Sequence, residues 1–203
     1  MKKLCTTTLL SILVGSIAGI ASSYVYLNMR TPSQDELIRD FYRIEVAANV
    51  SPHHLRKAMT KGNTNDFVLV DLRSPEEYER EHIAGAISIW AYKDPEHSAY
   101  NEVDRIVSAF KALPQDKDII VYCYSIPCMT GRKMGNVLAE NDVYVKLLGV
   151  GWNEWRHFWT LWNHEHEWDT FLVEDYVVSG SEPGTAKLDP DYIPPCIEGV
   201  FDC

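Results

Sequence analysis

Between Phe67 and Leu148, short and nearly uninterrupted apolar runs alternate with segments whose apolar residues recur every three or four positions. The runs are Phe67-Val68-Leu69-Val70-Asp71-Leu72, Ala86 to Trp90, Asp118-Ile119-Ile120-Val121-Tyr122 and Val143 to Leu148. Strands buried on both faces need that continuity. Ser51-Pro52 opens a helix with Leu55 and Met59 inward. Pro75 to Arg80 reads as a short helix, and Tyr100, Val103, Ile106, Val107 and Phe110 recur at helical spacing. Met129 to Asn141 places Met134, Val137 and Leu138 on one face, and Gly151 to about Trp162 reads as a Trp-rich helix. Upstream, Ser33 and Glu36 have the spacing of a capping box, which predicts a helix from Ser33 to about Arg43 with Leu37, Ile38 and Phe41 on one face. Val46 to Val50 follows as a short strand. The alternation predicts an α/β fold, a parallel central sheet with helices on both faces.

The N-terminus follows a different pattern. Lys2 and Lys3 precede an uncharged stretch in which Leu9 to Leu27 is mostly apolar, and about twenty such residues span a bilayer as a helix. The lysines favour a cytoplasmic N-terminus, which sends the remainder outward, to a periplasm or exterior. Two readings stay open for residues 1–30. One is an uncleaved membrane anchor. The other is a signal peptide cut near Ala21-Ser22-Ser23, leaving a soluble exported protein.

Composition adds two constraints. The chain has 203 residues, so once the N-terminal segment is set aside there is enough for one well-cored domain and hardly two. All 29 acids fall after residue 30, against 16 of the 19 Lys and Arg residues, a balance that makes nucleic acid a poor partner. Five cysteines occur, at positions 5, 123, 128, 196 and 203. Cys5 precedes the apolar run and reads as a membrane-edge thiol. An exported chain meets an oxidising compartment. Cys196 and Cys203 lie close together in an irregular tail from about Ser179 onward, and a structural disulfide between them is expected.

The chemistry concentrates after Tyr122. In a parallel sheet, ligands sit beyond the carboxyl ends of the strands. There the sequence reads Cys123-Tyr124-Ser125-Ile126-Pro127-Cys128, and then a helix begins. Loop and helix N–H groups can converge on Cys123, and the helix dipole is expected to lower its pKa toward the reactive thiolate. Arg132 is the nearest candidate anion contact, and Lys133 adds positive potential.

The segment Phe67-Val-Leu-Val-Asp71-Leu-Arg73-Ser-Pro-Glu-Glu77-Tyr-Glu-Arg-Glu-His82-Ile-Ala-Gly85-Ala86 resembles the signature of rhodanese-like sulfurtransferases. Val121-Tyr122-Cys123 and Gly149-Val150-Gly151-Trp152-Asn153-Glu154-Trp155 fit its later pieces. The resemblance implies a single rhodanese-like domain over 51–165, with 31–50 as a connecting segment and 166–203 as an irregular extension. It implies that Cys123 accepts a sulfane sulfur as a persulfide and passes it to a thiol or other thiophilic acceptor. Asp71, Arg73, Glu77, His82 and Gly85 match family positions and read as scaffold. The loop Tyr124, Ser125, Ile126, Pro127, Cys128 would supply backbone donors. Where many members carry an Arg after the cysteine, this chain has Tyr124, which favours persulfides or a protein thiol over thiosulfate as donor. No organic cofactor is implied.

Competing readings share these residues. Cys128 admits a thiol–disulfide oxidoreductase built on Cys123 and Cys128, and the fold also admits a non-catalytic binding module. A cysteine phosphatase would need an Arg after a five-residue spacer, but Met129 and Met134 hold those positions. Trp152, Trp155, Trp159 and Trp162 read as a core-facing or partner-facing stripe. His164-Glu165-His166-Glu167 resembles metal ligands but reads as a solvated polar cluster, so no metal is expected.

Overall fold

A computed structural model describes residues 2–29, 31–189 and 191. The backbone divides into two units, residues 1–44 and residues 45–203. In the first unit, α1 spans Lys2–Met29, and α2, Gln34–Ala48, begins there and runs into the second. The N-terminus of α2 is closed by the capping box. Glu36 accepts from the Ser33 backbone and hydroxyl, and the Glu36 N–H donates back to Ser33 Oγ. Helix continues to Ala48, so the strand expected from Val46 shortens to Asn49–Val50. Among the described residues no helix is long and apolar enough to cross a membrane, so α1 is not shown to be the membrane anchor expected over 1–30.

The second unit carries β1 (Asn49–Val50), α3 (Pro52–Thr60), β2 (Phe67–Asp71), α4 (Pro75–Arg80), β3 (His82–Ile83), β4 (Ala86–Ser88), β5 (Tyr92–Asp94) and β6 (His97–Ser98). Next come α5 (Val103–Lys111), β7 (Asp118–Tyr122), α6 (Thr130–Ala139), β8 (Lys146–Leu148), α7 (Trp152–His157), α8 (Trp159–Trp162) and β9 (Val177–Val178). Five strands form one parallel sheet in the order β1-β8-β7-β2-β4, which puts β7 at its centre.

Alternation along these strands sorts the core into two layers. Leu69, Ile120, Tyr122 and Leu148 face Leu55 and Met59 of α3 and the tryptophans of α7 and α8. Val70, Ile119 and Val121 face Ile106 and Phe110 of α5 and Met134 and Leu138 of α6. The single Trp-rich helix predicted from Gly151 is instead two short ones, broken at Phe158, whose backbone leaves helical space at φ −125°, ψ 43°. The break lets Trp155 and Trp159 both reach the core, fully and almost fully buried, with rings 5.7 Å apart and nearly perpendicular.

The segment beyond residue 165 is not wholly irregular. Glu165–Glu167 and Val173–Tyr176 form short 3-10 turns, and β9 pairs antiparallel with β3. The expected Cys196–Cys203 pairing lies outside the described residues.

Candidate active site

Because β7 is central, its carboxyl end delivers Cys123 to the middle of the sheet's ligand-binding edge. The loop that follows is tied down on three sides. From α7, the Trp152 and Asn153 N–H groups donate to the Cys123 and Tyr124 carbonyls at 2.8 Å each. The Glu154 carboxylate accepts from Gly151 N–H at 2.9 Å and from Ile126 N–H at 3.2 Å. Arg132 Nη1 donates to the Ile126 and Cys128 carbonyls at 3.0 and 3.3 Å. Gly151 itself lies against the loop: a Cβ there would fall 2.3 Å from Ser125 N and 2.4 Å from Ser125 Cα.

These ties revise the expected anion cradle. The Ile126 and Cys128 amides are engaged by Glu154 and by the Ser125 carbonyl. Arg132 lines the same cavity but points Nη1 at loop carbonyls. Lys133 Nζ lies over the Tyr100 ring, 5.3 Å from its centroid.

The electrostatics differ from expectation in a more consequential way. Helix α6 begins at Thr130, so the sulfur beside its N-terminus is that of Cys128, two residues earlier. Cys123 is buried, and burial pushes its thiol pKa up, reinforced by the neighbouring Cys128. The expected lowering at Cys123 is therefore not what the structure gives. Cys128 is half-buried, and burial opposes its ionisation too. The Thr130 hydroxyl and N–H, Cys123 and the Tyr124 N–H outweigh that, leaving its pKa below the ordinary thiol value. The two sulfurs lie 3.6 Å apart, with Cys128 Sγ 3.3 Å from Thr130 Oγ1. Of the pair, Cys128 is therefore the more readily ionised and Cys123 the less.

Tyrosines wall one side. Thr130 Oγ1 hydrogen-bonds Tyr100 at 2.6 Å and Tyr92 at 3.2 Å, and the Tyr92 ring packs edge-on against Tyr124 at 5.3 Å. The Tyr124 hydroxyl donates to Glu77, whose carboxylate also caps α4 through Ser74. On the other side a cavity of about 200 Å³ opens, lined by both cysteines, Ser125, Ile126, Arg132 and Gly149 to Gly151. It is large enough for a small sulfur compound.

The signature residues lie behind this loop. Asp71 and Arg73 are buried and paired, with Arg73 Nη2 2.7 Å from Asp71 Oδ2 and the Tyr122 hydroxyl donating to the same oxygen at 2.6 Å. Tyr122 directly precedes Cys123, so this network fixes the end of β7. His82 is fully buried against two backbone carbonyls, Tyr78 and Glu182, and stacks on the Tyr78 ring. Gly85 turns at φ +81°, a conformation open to glycine at little cost, and its N–H meets the Pro183 carbonyl. Sequence reasoning missed Tyr92, Tyr100, Thr130 and the loop-gripping role of Glu154. Only Glu154 left a trace, three residues after Gly151 at capping spacing.

The His164–Glu167 stretch is also not simply solvated. Glu167 is buried and pairs with Arg56, which also binds Asn163. With His53 from α3, the donor atoms of His53, His164 and Glu167 lie within 4.8 Å of one another. The Arg56 guanidinium beside Glu167 adds positive charge where a cation would sit.

The profile of the rhodanese-like domain matches residues 51–157. An HTH-type transcriptional regulator of Mycobacterium tuberculosis is 28% identical over 98 residues, which are 48% of this chain and 38% of the regulator's length. A solved protein of Bacillus halodurans is 27% identical with a TM-score of 0.48, covering 61% of this chain and 81% of its own. A rhodanese with anions from E. coli is 27% identical with a TM-score of 0.29, covering 42% and 85%.

Proposed function

This chain belongs to the rhodanese-like domain family, and on that premise we propose that it is a sulfurtransferase carrying sulfane sulfur on Cys123. The observation that supports it best is the position of that thiol. Cys123 leaves the central strand at the ligand edge of the sheet, in a pinned loop, and opens onto a cavity shared with a second thiol, Cys128. The raised pKa of Cys123 makes a proton acceptor necessary, and Cys128 Sγ lies in hydrogen-bonding reach. Cys123 Sγ attacks the outer sulfur of a persulfide donor as its proton passes to Cys128. The bond to the donor's inner sulfur breaks, and that sulfur leaves as a thiolate with the electron pair. The Cys123 persulfide then yields its outer sulfur to a thiol acceptor.

The uncharged loop supports a persulfide or protein thiol as donor over dianionic thiosulfate, since the Arg132 guanidinium is already engaged by carbonyls. The proposal also includes a location outside the cytoplasm, supported by Lys2 and Lys3 ahead of the uncharged stretch. A reporter fused after residue 203 tests that location, and activity of a reporter confined to the cytoplasm would overturn it. The chemistry is tested in the Cys128→Ser variant, which keeps one loop thiol. Incubation with a small-molecule persulfide should add one sulfur to the peptide holding Cys123. A folded variant that takes up no sulfur, or takes it elsewhere, overturns the reading.

A further inference from the structure

We propose that Cys128 resolves the Cys123 persulfide within the same chain, releasing hydrosulfide and leaving a Cys123–Cys128 disulfide. The inference rests on the reading of Cys123 as the sulfur carrier, and it assigns the product of that site when no external acceptor is bound. Its basis is the juxtaposition of the two sulfurs. At 3.6 Å they are in van der Waals contact, on opposite ends of one short loop and facing one cavity. Joining them closes that separation to the S–S bond length of about 2.0 Å.

The two thiols are also unlike in the way such a step needs. An attacking sulfur must be ionised and able to approach its target. Cys128 is half-buried, two residues before α6, with its Sγ 3.3 Å from Thr130 Oγ1. Cys123 is buried, so its persulfide meets Cys128 before any bulky outside thiol. Thr130 is itself hydrogen-bonded to the hydroxyls of Tyr100 and Tyr92, which holds Oγ1 beside Cys128.

The step balances without an outside oxidant. Cys128 thiolate adds to Sγ of Cys123, and a new Sγ–Sγ bond forms. The Sγ–Sδ bond of the persulfide breaks, and its outer sulfur departs with the bonding pair and one proton as hydrosulfide. The sulfane sulfur is reduced to sulfide while the two cysteines are oxidised to the disulfide. A dithiol reductant then returns both thiols and permits another cycle. The chain would thereby act as a persulfide reductase as well as a carrier, with the choice set by whether an acceptor thiol occupies the cavity.

The experiment is a single turnover. Wild-type protein, Cys128→Ser and Cys128→Ala are each loaded with a small persulfide, desalted at once, and followed by sulfide detection and intact mass with no reductant present. The variants lose a proton acceptor and load more slowly, so the endpoint is read instead of the rate. Wild type should release one sulfide per chain and lose the mass of two hydrogens, with Cys123 and Cys128 recovered in one cross-linked peptide. Both variants should keep the added sulfur and release none. Wild type that retains its persulfide as the variants do overturns the resolving step and leaves the carrier reading intact. If neither wild type nor the variants take up sulfur, the carrier reading falls and this inference falls with it.

Discussion

Gly151→Ala probes how closely the cysteine loop is fitted to the rest of the site. Gly151 has an ordinary φ of −99°, so alanine meets no backbone strain there. It meets atoms instead. The added Cβ would stand 2.3, 2.4 and 2.6 Å from Ser125 N, Ser125 Cα and Tyr124 C. Carbon contacts settle at about 3.5–4.0 Å, so something must move by about 1 Å. The obstacle is backbone on both sides. The loop is anchored to α7 at Cys123 and Tyr124, and Gly151 is anchored through Glu154. The movement therefore falls on Tyr124 and Ser125, directly after the nucleophile. Overpacking of this kind costs about 1–3 kcal/mol. For a chain of this size that lowers Tm by about 2–12 °C. A displacement near 1 Å at a reacting group slows chemistry by about 100-fold. Differential scanning calorimetry and the initial rate of sulfur loading measure the two effects. Gly151→Ala with wild-type Tm and wild-type loading would refute the fitted loop.

Further expectations follow from the same geometry. Asp71→Ala strands Arg73 in the core and takes the acceptor from Tyr122, so urea unfolding should show a loss of about 3–5 kcal/mol; a loss under 1 kcal/mol would contradict a buried pair. Glu154→Ala leaves the Ile126 and Gly151 amides without their acceptor, at a cost of about 1–3 kcal/mol, and amide exchange at Ile126 should accelerate, with unchanged exchange the contrary result. The pH order of alkylation is fixed by the two thiols. With its pKa lowered, Cys128 should ionise and react at lower pH than Cys123, whose pKa is raised. Peptide mapping of partial iodoacetamide labelling checks this, and Cys123 labelling first would reverse the assignment. Thr130→Val removes the hydroxyl beside Cys128 and should move its labelling curve to higher pH; an unmoved curve would show that Thr130 does not stabilise the thiolate.

Much of this was legible in the sequence, for identifiable physical reasons. Continuous apolar runs at 67–72 and 118–122 mark strands covered on both faces, and both are interior strands of the sheet. The Ser33 cap follows from local spacing alone, and the structure has its reciprocal hydrogen bonds. What failed depended on distance in space. The helix dipole expected at Cys123 acts instead at Cys128, because the loop carries only Cys128 to the helix start. Tyr92 and Tyr100 come from the segment between β4 and α5, where no periodicity or motif ties them to residue 130. Phe158 breaks the Trp-rich helix with no Pro or Gly at that position to announce it, because packing two tryptophans into one core outweighs local helix preference. The burial of Glu167 depends on Arg56, 111 positions away.

The account stands on Cys123 as the residue that holds sulfur. Its most direct test is isotopic: Cys128→Ser is loaded with a persulfide whose outer sulfur is labelled, digested without reductant, and the label located by tandem mass spectrometry. The account predicts label on Cys123 alone, transferable to an added thiol and absent when Cys123 is also replaced by Ser. A folded protein that carries no label at Cys123 would contradict it.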